Sequence, residues 1–175
     1  MLFADIRGST TLAEKMSPTE FGQLISHFFA VASEVITNSQ ALLDRLVGDQ
    51  VIGLYIPGFA GPDHKHLGIA AAGELLRVTG HGSTEGPWIP VGVGIHTGVA
   101  FVGSVGDAGI ATDITVLGDA ANTAARLSSN AAKGEILISE DAYVPDMNLE
   151  GLEKRQLTLK GKSNSVSVYV MKATS

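Results

Sequence analysis

The stretch Leu42 to Tyr55, Leu-Leu-Asp-Arg-Leu-Val-Gly-Asp-Gln-Val-Ile-Gly-Leu-Tyr, sets two apolar runs on either side of Gly48-Asp49. A glycine that tolerates positive φ, followed by an aspartate, is the chemistry of a tight hairpin turn. The stretch therefore predicts two paired strands with the Asp49 carboxylate at the tip. Aspartate is also an ordinary turn residue whose side chain bonds the local backbone, so Asp49 alone decides nothing. A second carboxylate changes its meaning: Asp5 sits inside Met1-Leu2-Phe3-Ala4-Asp5-Ile6, a run with the pattern of a buried strand. Burying an unpaired carboxylate is costly, and such a residue is usually paired or holds a metal. The hairpin and the first strand are expected to be neighbours built around a cation.

A chain of 175 residues fits one domain, 1–175, with room for a real core, and its 45% hydrophobic and 17% charged content is that of a globular protein. The formal charge of −6 argues against a surface made for a nucleic acid backbone. With no cysteine, disulfides and thiolate metal sites are excluded, which suits the cytoplasm. No apolar run approaches a membrane span, and the N-terminus lacks a basic region followed by a hydrophobic one. Met1 falls directly on the first strand, as expected of a catalytic piece whose regulatory domains lie elsewhere.

Along the chain, Arg7-Gly8-Ser9-Thr10-Thr11 supplies a small polar turn whose backbone N–H groups can face a phosphate at the start of a short helix; a plain N-cap is the alternative. Ser17-Pro18-Thr19-Glu20 reads as a capping box, and Phe21, Leu24, Ile25, Phe28, Ala32, Val35 and Ile36 then form the core stripe of a long helix. After the hairpin, which Ile56-Pro57-Gly58 ends, a second helix is predicted from Pro62 to about Val78. His64 and His66, two apart, do not share a helical face as paired metal ligands would, and read as exposed. Trp88 to Val105 reads as two strands joined near Thr97-Gly98, 106–112 as a flexible loop, and Ile114 to Leu117 as a short strand. An alanine-rich helix runs from Gly118-Asp119 to about Ser129, close-packed against something, with Asn122 and Arg126 on one face. Glu135 to Ser139, Leu157 to Lys160 and Ser165 to Val170 complete the strands. The order predicts an α+β sandwich, helices on a mainly antiparallel sheet.

Two aspartates on adjacent strands, with no histidine or cysteine nearby, are hard oxygen ligands that favour magnesium or manganese, and phosphoryl transfer with two metals is the natural reaction class. Positive charge for a phosphate ligand would come from Arg126 and Lys160-Gly161-Lys162. Gly161-Lys162-Ser163 lacks the earlier glycine of a P-loop, Gln156 standing there, and Gly92-Val93-Gly94 lacks the third glycine of a dinucleotide fingerprint, Thr97 standing there. As plain alternatives, a Lys-Gly-Lys turn is a solvated loop, and an Asn and Arg pair is a surface hydrogen-bonding pair.

Taken together, Leu2-Phe3-Ala4-Asp5-Ile6 with Gly8-Ser9-Thr10, Val47-Gly48-Asp49, Val93-Gly94-Ile95-His96-Thr97-Gly98, Leu117-Gly118-Asp119-Ala120-Ala121-Asn122-Thr123-Ala124-Ala125-Arg126-Leu127 and Leu159-Lys160-Gly161-Lys162 resemble, in order, the catalytic domain of class III nucleotidyl cyclases. The resemblance implies a ferredoxin-like (palm-like) α+β fold and a head-to-tail homodimer with two composite sites. From one chain, Asp5, Asp49 and the Ile6 backbone would bind two Mg2+ or Mn2+ ions, with Gly8, Ser9 and Thr10 beside the triphosphate. From the other, Asn122 would orient the ribose, Arg126 would offset charge on the α-phosphoryl group and Lys160 would hold the terminal phosphates. The 3′-hydroxyl would attack the α-phosphorus and pyrophosphate would leave. The signature residues of diguanylate cyclases, which use a related strand and hairpin, are absent.

Base selection is where the chain departs from the family. Adenylate cyclases of this family typically carry lysine, and guanylate cyclases glutamate, where this chain has Arg45; the second specifying position is Thr115. A donor with a hydroxyl resembles the lysine and threonine pairing that reads adenine, and ATP is favoured. Arginine's fork also suits the O6 and N7 acceptors of guanine, so a guanylate or other nucleotide cyclase is the alternative, beside a catalytically silent nucleotide-binding dimerisation module. Val99 replaces an arginine that some members place near the phosphates.

Overall fold

A computed structural model describes residues 1–104, 114–147, 152–160 and 165–173. The expected 106–112 loop and the Gly161-Lys162-Ser163 segment lie outside these residues. In chain order the elements are β1 (Leu2–Ile6), α1 (Ser9–Lys15), α2 (Pro18–Asn38), β2 (Leu42–Val47), β3 (Gln50–Leu54), α3 (Pro57–Ala60), α4 (His64–Val78), β4 (Val91–Ile95), β5 (Phe101–Ser104), β6 (Ile114–Leu117), α5 (Asp119–Asn130), β7 (Glu135–Ser139), β8 (Glu153–Leu157) and β9 (Val166–Lys172). Seven strands form one sheet in the order β2-β3-β1-β4-β7-β9-β8, and β5 pairs with β6 in a separate ribbon. Within the large sheet every pairing is antiparallel except β4 with β7, which α5 bridges.

Strand alternation assigns the two faces. Leu2, Ala4 and Ile6 of β1 and Val51 of β3 point into a core completed by Phe28, Ala32 and Ile36 of α2 and by Ile69, Leu75 and Leu76 of α4. Phe3, Ile52 and Leu54 point the other way, against Val116, Ala121 and Ala124. Farther along that second face, Leu127 and Ala131 pack with Leu137, Leu159, Val168 and Val170. The α2 helix begins where the sequence predicts: the Ser17 hydroxyl accepts from the Glu20 N–H, and the Ser17 N–H donates to Glu20 Oε2 at 2.9 Å.

Two expectations are corrected. The strand read at Leu157 to Lys160 is instead Glu153–Leu157, a charged edge strand pairing only with β9. Charge on an edge protects it from further pairing and also hides its alternation from a hydrophobic pattern; Leu159, beyond the strand, is buried all the same. His64 and His66 are half-buried, not exposed, because the first turn of α4 folds back on the α3 connection, where His64 Nδ1 lies 3.3 Å from the Gly61 carbonyl oxygen. The hairpin ends before Ile56-Pro57-Gly58 as the sequence predicts, and the chain then makes one turn of helix, α3, for which the Pro57-Gly58 pair gives no signal.

Candidate active site

The hairpin turn is two residues long, with Gly48 at φ 64° where an L side chain would be strained. Its tip folds back on the end of β1, an interior strand: the Ile6 N–H donates to the Asp49 carbonyl at 3.2 Å, and Asp5 lies in register with Gln50 of β3 and Gly92 of β4. Asp5 and Asp49, 44 positions apart in the chain, therefore stand together. Burial pushes the Asp5 carboxyl above the ordinary aspartate range; the neighbouring Asp49 charge adds to the rise, and the Arg7 guanidinium opposes it.

By alternation Asp5 shares the face of Phe3, the side covered by α5. Arg7 follows on that side. Its guanidinium pairs with the Asp5 carboxylate through Nη2, and its Nη1 donates to the Ser129 carbonyl in the last turn of α5 at 3.0 Å. Gly8, at φ 71°, turns the chain into α1 and has open space where a Cβ would project; Ser9 is half-buried and Thr10 exposed. A small open turn beside two carboxylates leaves a polyanion room to approach.

The α5 helix lies against β4 without side chains between them. A Cβ on Gly94 would stand 2.2 Å from the Ser128 nitrogen and 2.6 Å from the Ala124 carbonyl oxygen. Ala120, Ala121, Ala124 and Leu127 are buried by this contact, which leaves Asn122 exposed and Arg126 half-buried. Among the described residues Arg126 forms no ion pair. Lys160 is exposed just after Leu159. Strands β2 and β6, which carry Arg45 and Thr115, belong to different sheets and approach one another, though the two side chains are outside what the structure describes.

The residues thus fall into two sets. Asp5, Ile6, Gly8, Ser9, Thr10 and Asp49 gather at one end of β1, while Asn122 and Arg126 project from the outer side of α5. Among the described residues no group of three or more His, Asp or Glu side chains is placed to hold a metal. Two carboxylates fit Mg2+ or Mn2+ nonetheless, because these ions take one or two carboxylates and complete their shell with water and phosphate oxygens. A partly buried pair of like charges, of which only Asp5 meets a guanidinium among the described residues, is a donor set suited to a cation.

Two features escaped the sequence reading. Arg7 reads in the sequence only as part of a turn; its spacing of two from a strand aspartate is the available signal. The apolar residues of the β5–β6 ribbon read as ordinary strand, yet Val99 is 97% exposed, Phe101 54% and Leu117 48%. Beside them a cavity of about 260 Å³, lined among others by Leu54, Tyr55, His64 and Val102, opens at the Met1 end of β1, away from Asp5.

The chain belongs to the family described as the adenylate and guanylate cyclase catalytic domain, which matches residues 1–173. It is 30% identical to an adenylate cyclase of Anabaena cylindrica over 99% of its length, and spans only 36% of that relative. Among solved structures, the adenylyl cyclase CyaB from P. aeruginosa is 26% identical with a TM-score of 0.79, covering 98% of this chain and 92% of that one. The guanylate cyclase domain of RhGC from Catenaria anguillulae, in complex with GTP, shares the fold at a TM-score of 0.80 and 21% identity, covering 99% and 95%. Class III cyclase domains of both substrate types are therefore its relatives. No helix among the described residues is long and apolar enough to cross a membrane.

Proposed function

We propose that this chain is an adenylate cyclase catalytic domain that converts ATP to cyclic AMP and pyrophosphate at two composite sites of a head-to-tail homodimer. The observation that carries the reading is the meeting of Asp5 and Asp49, with the Ile6 N–H bonded to the Asp49 carbonyl. Asp5, Asp49 and the Ile6 backbone hold two Mg2+ or Mn2+ ions in this reading, and the backbone of Gly8 to Thr10 flanks the triphosphate. The partner chain supplies Asn122 to orient the ribose, Arg126 to offset charge on the α-phosphoryl oxygens and Lys160 to hold the terminal phosphates. When bound, the ions neutralise phosphate charge and acidify the 3′-hydroxyl. The bond from O3′ to the α-phosphorus forms as the bond to the bridging oxygen breaks, and positioning and charge neutralisation do most of the work.

An exposed, half-buried division of labour on α5 supports a dimer: Asn122 and Arg126 face outward, where a second chain can use them. The exposed Val99, Phe101 and Leu117 supply an apolar contact surface for that chain. ATP is favoured by the donor at Arg45 with Thr115 on the neighbouring strand, and by the adenylate cyclase of Anabaena cylindrica. GTP is the second reading, because a guanidinium fork suits guanine O6 and N7 and a structural neighbour carries GTP. The domain would work in the cytoplasm beside regulatory domains of a longer protein.

The test is to incubate the protein with ATP, GTP, CTP and UTP in turn, with Mg2+ and then Mn2+, and to identify cyclic products by chromatography. Cyclic AMP as the main product, reduced at least a hundredfold in Asp49→Ala, is expected (about 10²–10³ for loss of one charge-stabilising group). Cyclic GMP would keep the mechanism and reverse the assignment of Arg45. No product from a verified dimer would move the reading to a silent nucleotide-binding module.

A further inference from the structure

Arg7 makes more contacts than a turn residue needs. Its Nη2 meets the Asp5 carboxylate, its Nε lies 3.4 Å from the Asp5 carbonyl oxygen, and its Nη1 donates to the Ser129 carbonyl at 3.0 Å. Its own N–H donates to the Pro90 carbonyl at 2.8 Å, so the backbone beneath the side chain is fixed to the residue that leads into β4. The two side chains of the pair are 21% and 17% exposed, enough for solvent to reach them and too little for the charges to be fully screened. The guanidinium is permanently charged and only donates, so it cannot share the Asp5 oxygens with a divalent cation without placing like charges side by side.

We propose that Arg7 is an internal counter-ion of Asp5, which a divalent cation displaces, and that its bond to Ser129 carries this displacement to the last turn of α5. This rests on the reading of Asp5 and Asp49 as the metal-holding pair. A helix C-terminus favours a cation, and Arg7 sits there, stabilising the end of the helix that bears Asn122 and Arg126. When the cation takes Asp5, Arg7 is repelled and the last turn of α5 loses a partner. In a dimer with composite sites, Asp5 of a chain serves one site and α5 of the same chain serves the other. Arg7 is thus a positioning residue at the junction of the two sites, and filling one with metal alters the helix presented to its twin.

The test uses Mn2+ alone, without nucleotide, titrated by calorimetry and by the paramagnetic resonance of the free ion. Arg7→Ala is expected to bind Mn2+ about tenfold more tightly than wild type, since a positive charge beside the ion is removed. Arg7→Lys, which keeps the charge, stays near wild type. A loss of structure alone would not tighten binding, and Arg7→Gln serves if the alanine variant does not fold. Hydrogen exchange in 126–134 should quicken on adding Mn2+ to wild type and be insensitive to Mn2+ in Arg7→Ala. Unchanged or weaker Mn2+ affinity in folded Arg7→Ala and Arg7→Gln, or metal-insensitive exchange of wild-type α5, overturns the proposal while leaving the cyclase reading in place. If wild type shows no Mn2+ binding that Asp49→Ala abolishes, the reading of the carboxylate pair falls, and this proposal with it.

Discussion

His81 has its tautomer fixed by its neighbours. The Val91 N–H donates to Nε2 at 3.3 Å, which requires that nitrogen to be bare. The proton therefore sits on Nδ1 and is donated to Thr79 Oγ1 at 3.0 Å, while the Thr79 hydroxyl donates to the Leu75 carbonyl at 2.7 Å. A second ring proton would face the Val91 N–H. Burial lowers the His81 pKa below its ordinary 6.5, and the charge of Lys133 works in the same direction against a backbone bond that opposes it. With the folded pKa depressed, the unfolded chain takes up the proton first. The contribution to stability is complete above pH 6.5 and is lost as pH falls from there through the folded value. Urea midpoints measured between pH 7.5 and 5 should fall more steeply for wild type than for His81→Gln; parallel slopes would show that His81 protonates freely in the fold. At this scale the sequence disclosed Asp5 and Asp49, because a charge inside an apolar run stands out. It did not disclose the role of Arg7 or the burial of His81, since each depends on a partner far along the chain: Ser129 in one case, Val91 in the other.

Among elements, α5 is the one whose placement the carboxylate end most depends on. Its alanines announced a close contact in the sequence, and the closest is Gly94 against the backbone of Ala124, Leu127 and Ser128. A methyl group there meets backbone atoms of the helix, which cannot rotate away as a side chain could. Gly94→Ala should therefore destabilise the protein by about 3 kcal/mol, at the upper end of overpacking costs. The same shift should lower cyclase activity at temperatures where the variant is still folded. Chemical denaturation measures the first effect, and a cost under about 0.5 kcal/mol, the range of ordinary surface substitutions, would mean that helix and strand part without strain. The elements legible beforehand were those with a strong period or cap, such as α2 with its Ser17-Glu20 box and the β2–β3 hairpin. The edge strand β8 was misplaced because Glu153, Lys154, Arg155 and Gln156 give no apolar alternation, its position being fixed by pairing with β9.

For the whole molecule, the β5–β6 ribbon is the surface that a second copy would cover. Phe101→Glu places a charge among Val99, Val102 and Leu117, all exposed. It should weaken self-association at least tenfold by sedimentation and lower specific activity most at low protein concentration, with thermal stability of the monomer little changed. Unaltered association would place the dimer contact on another surface. The sheet and its helices could be anticipated because local patterns specify them. The pairing order β2-β3-β1-β4-β7-β9-β8 could not, because it is set by contacts between distant segments.

The position of β1 in that order also bears on how the protein is made. β1 is an interior strand of the sheet, and both its neighbours, β3 and β4, follow it in the chain, the second ending at Ile95. At about 5–20 residues per second, Leu2-Phe3-Ala4 waits on the order of 5–20 s before β4 has been synthesised, its apolar side chains and backbone bonding groups unmet meanwhile. Asp5 thus leaves the ribosome before the strands that enclose it, and the interval until they follow is when a nascent chain of this topology most needs protection from its fellows.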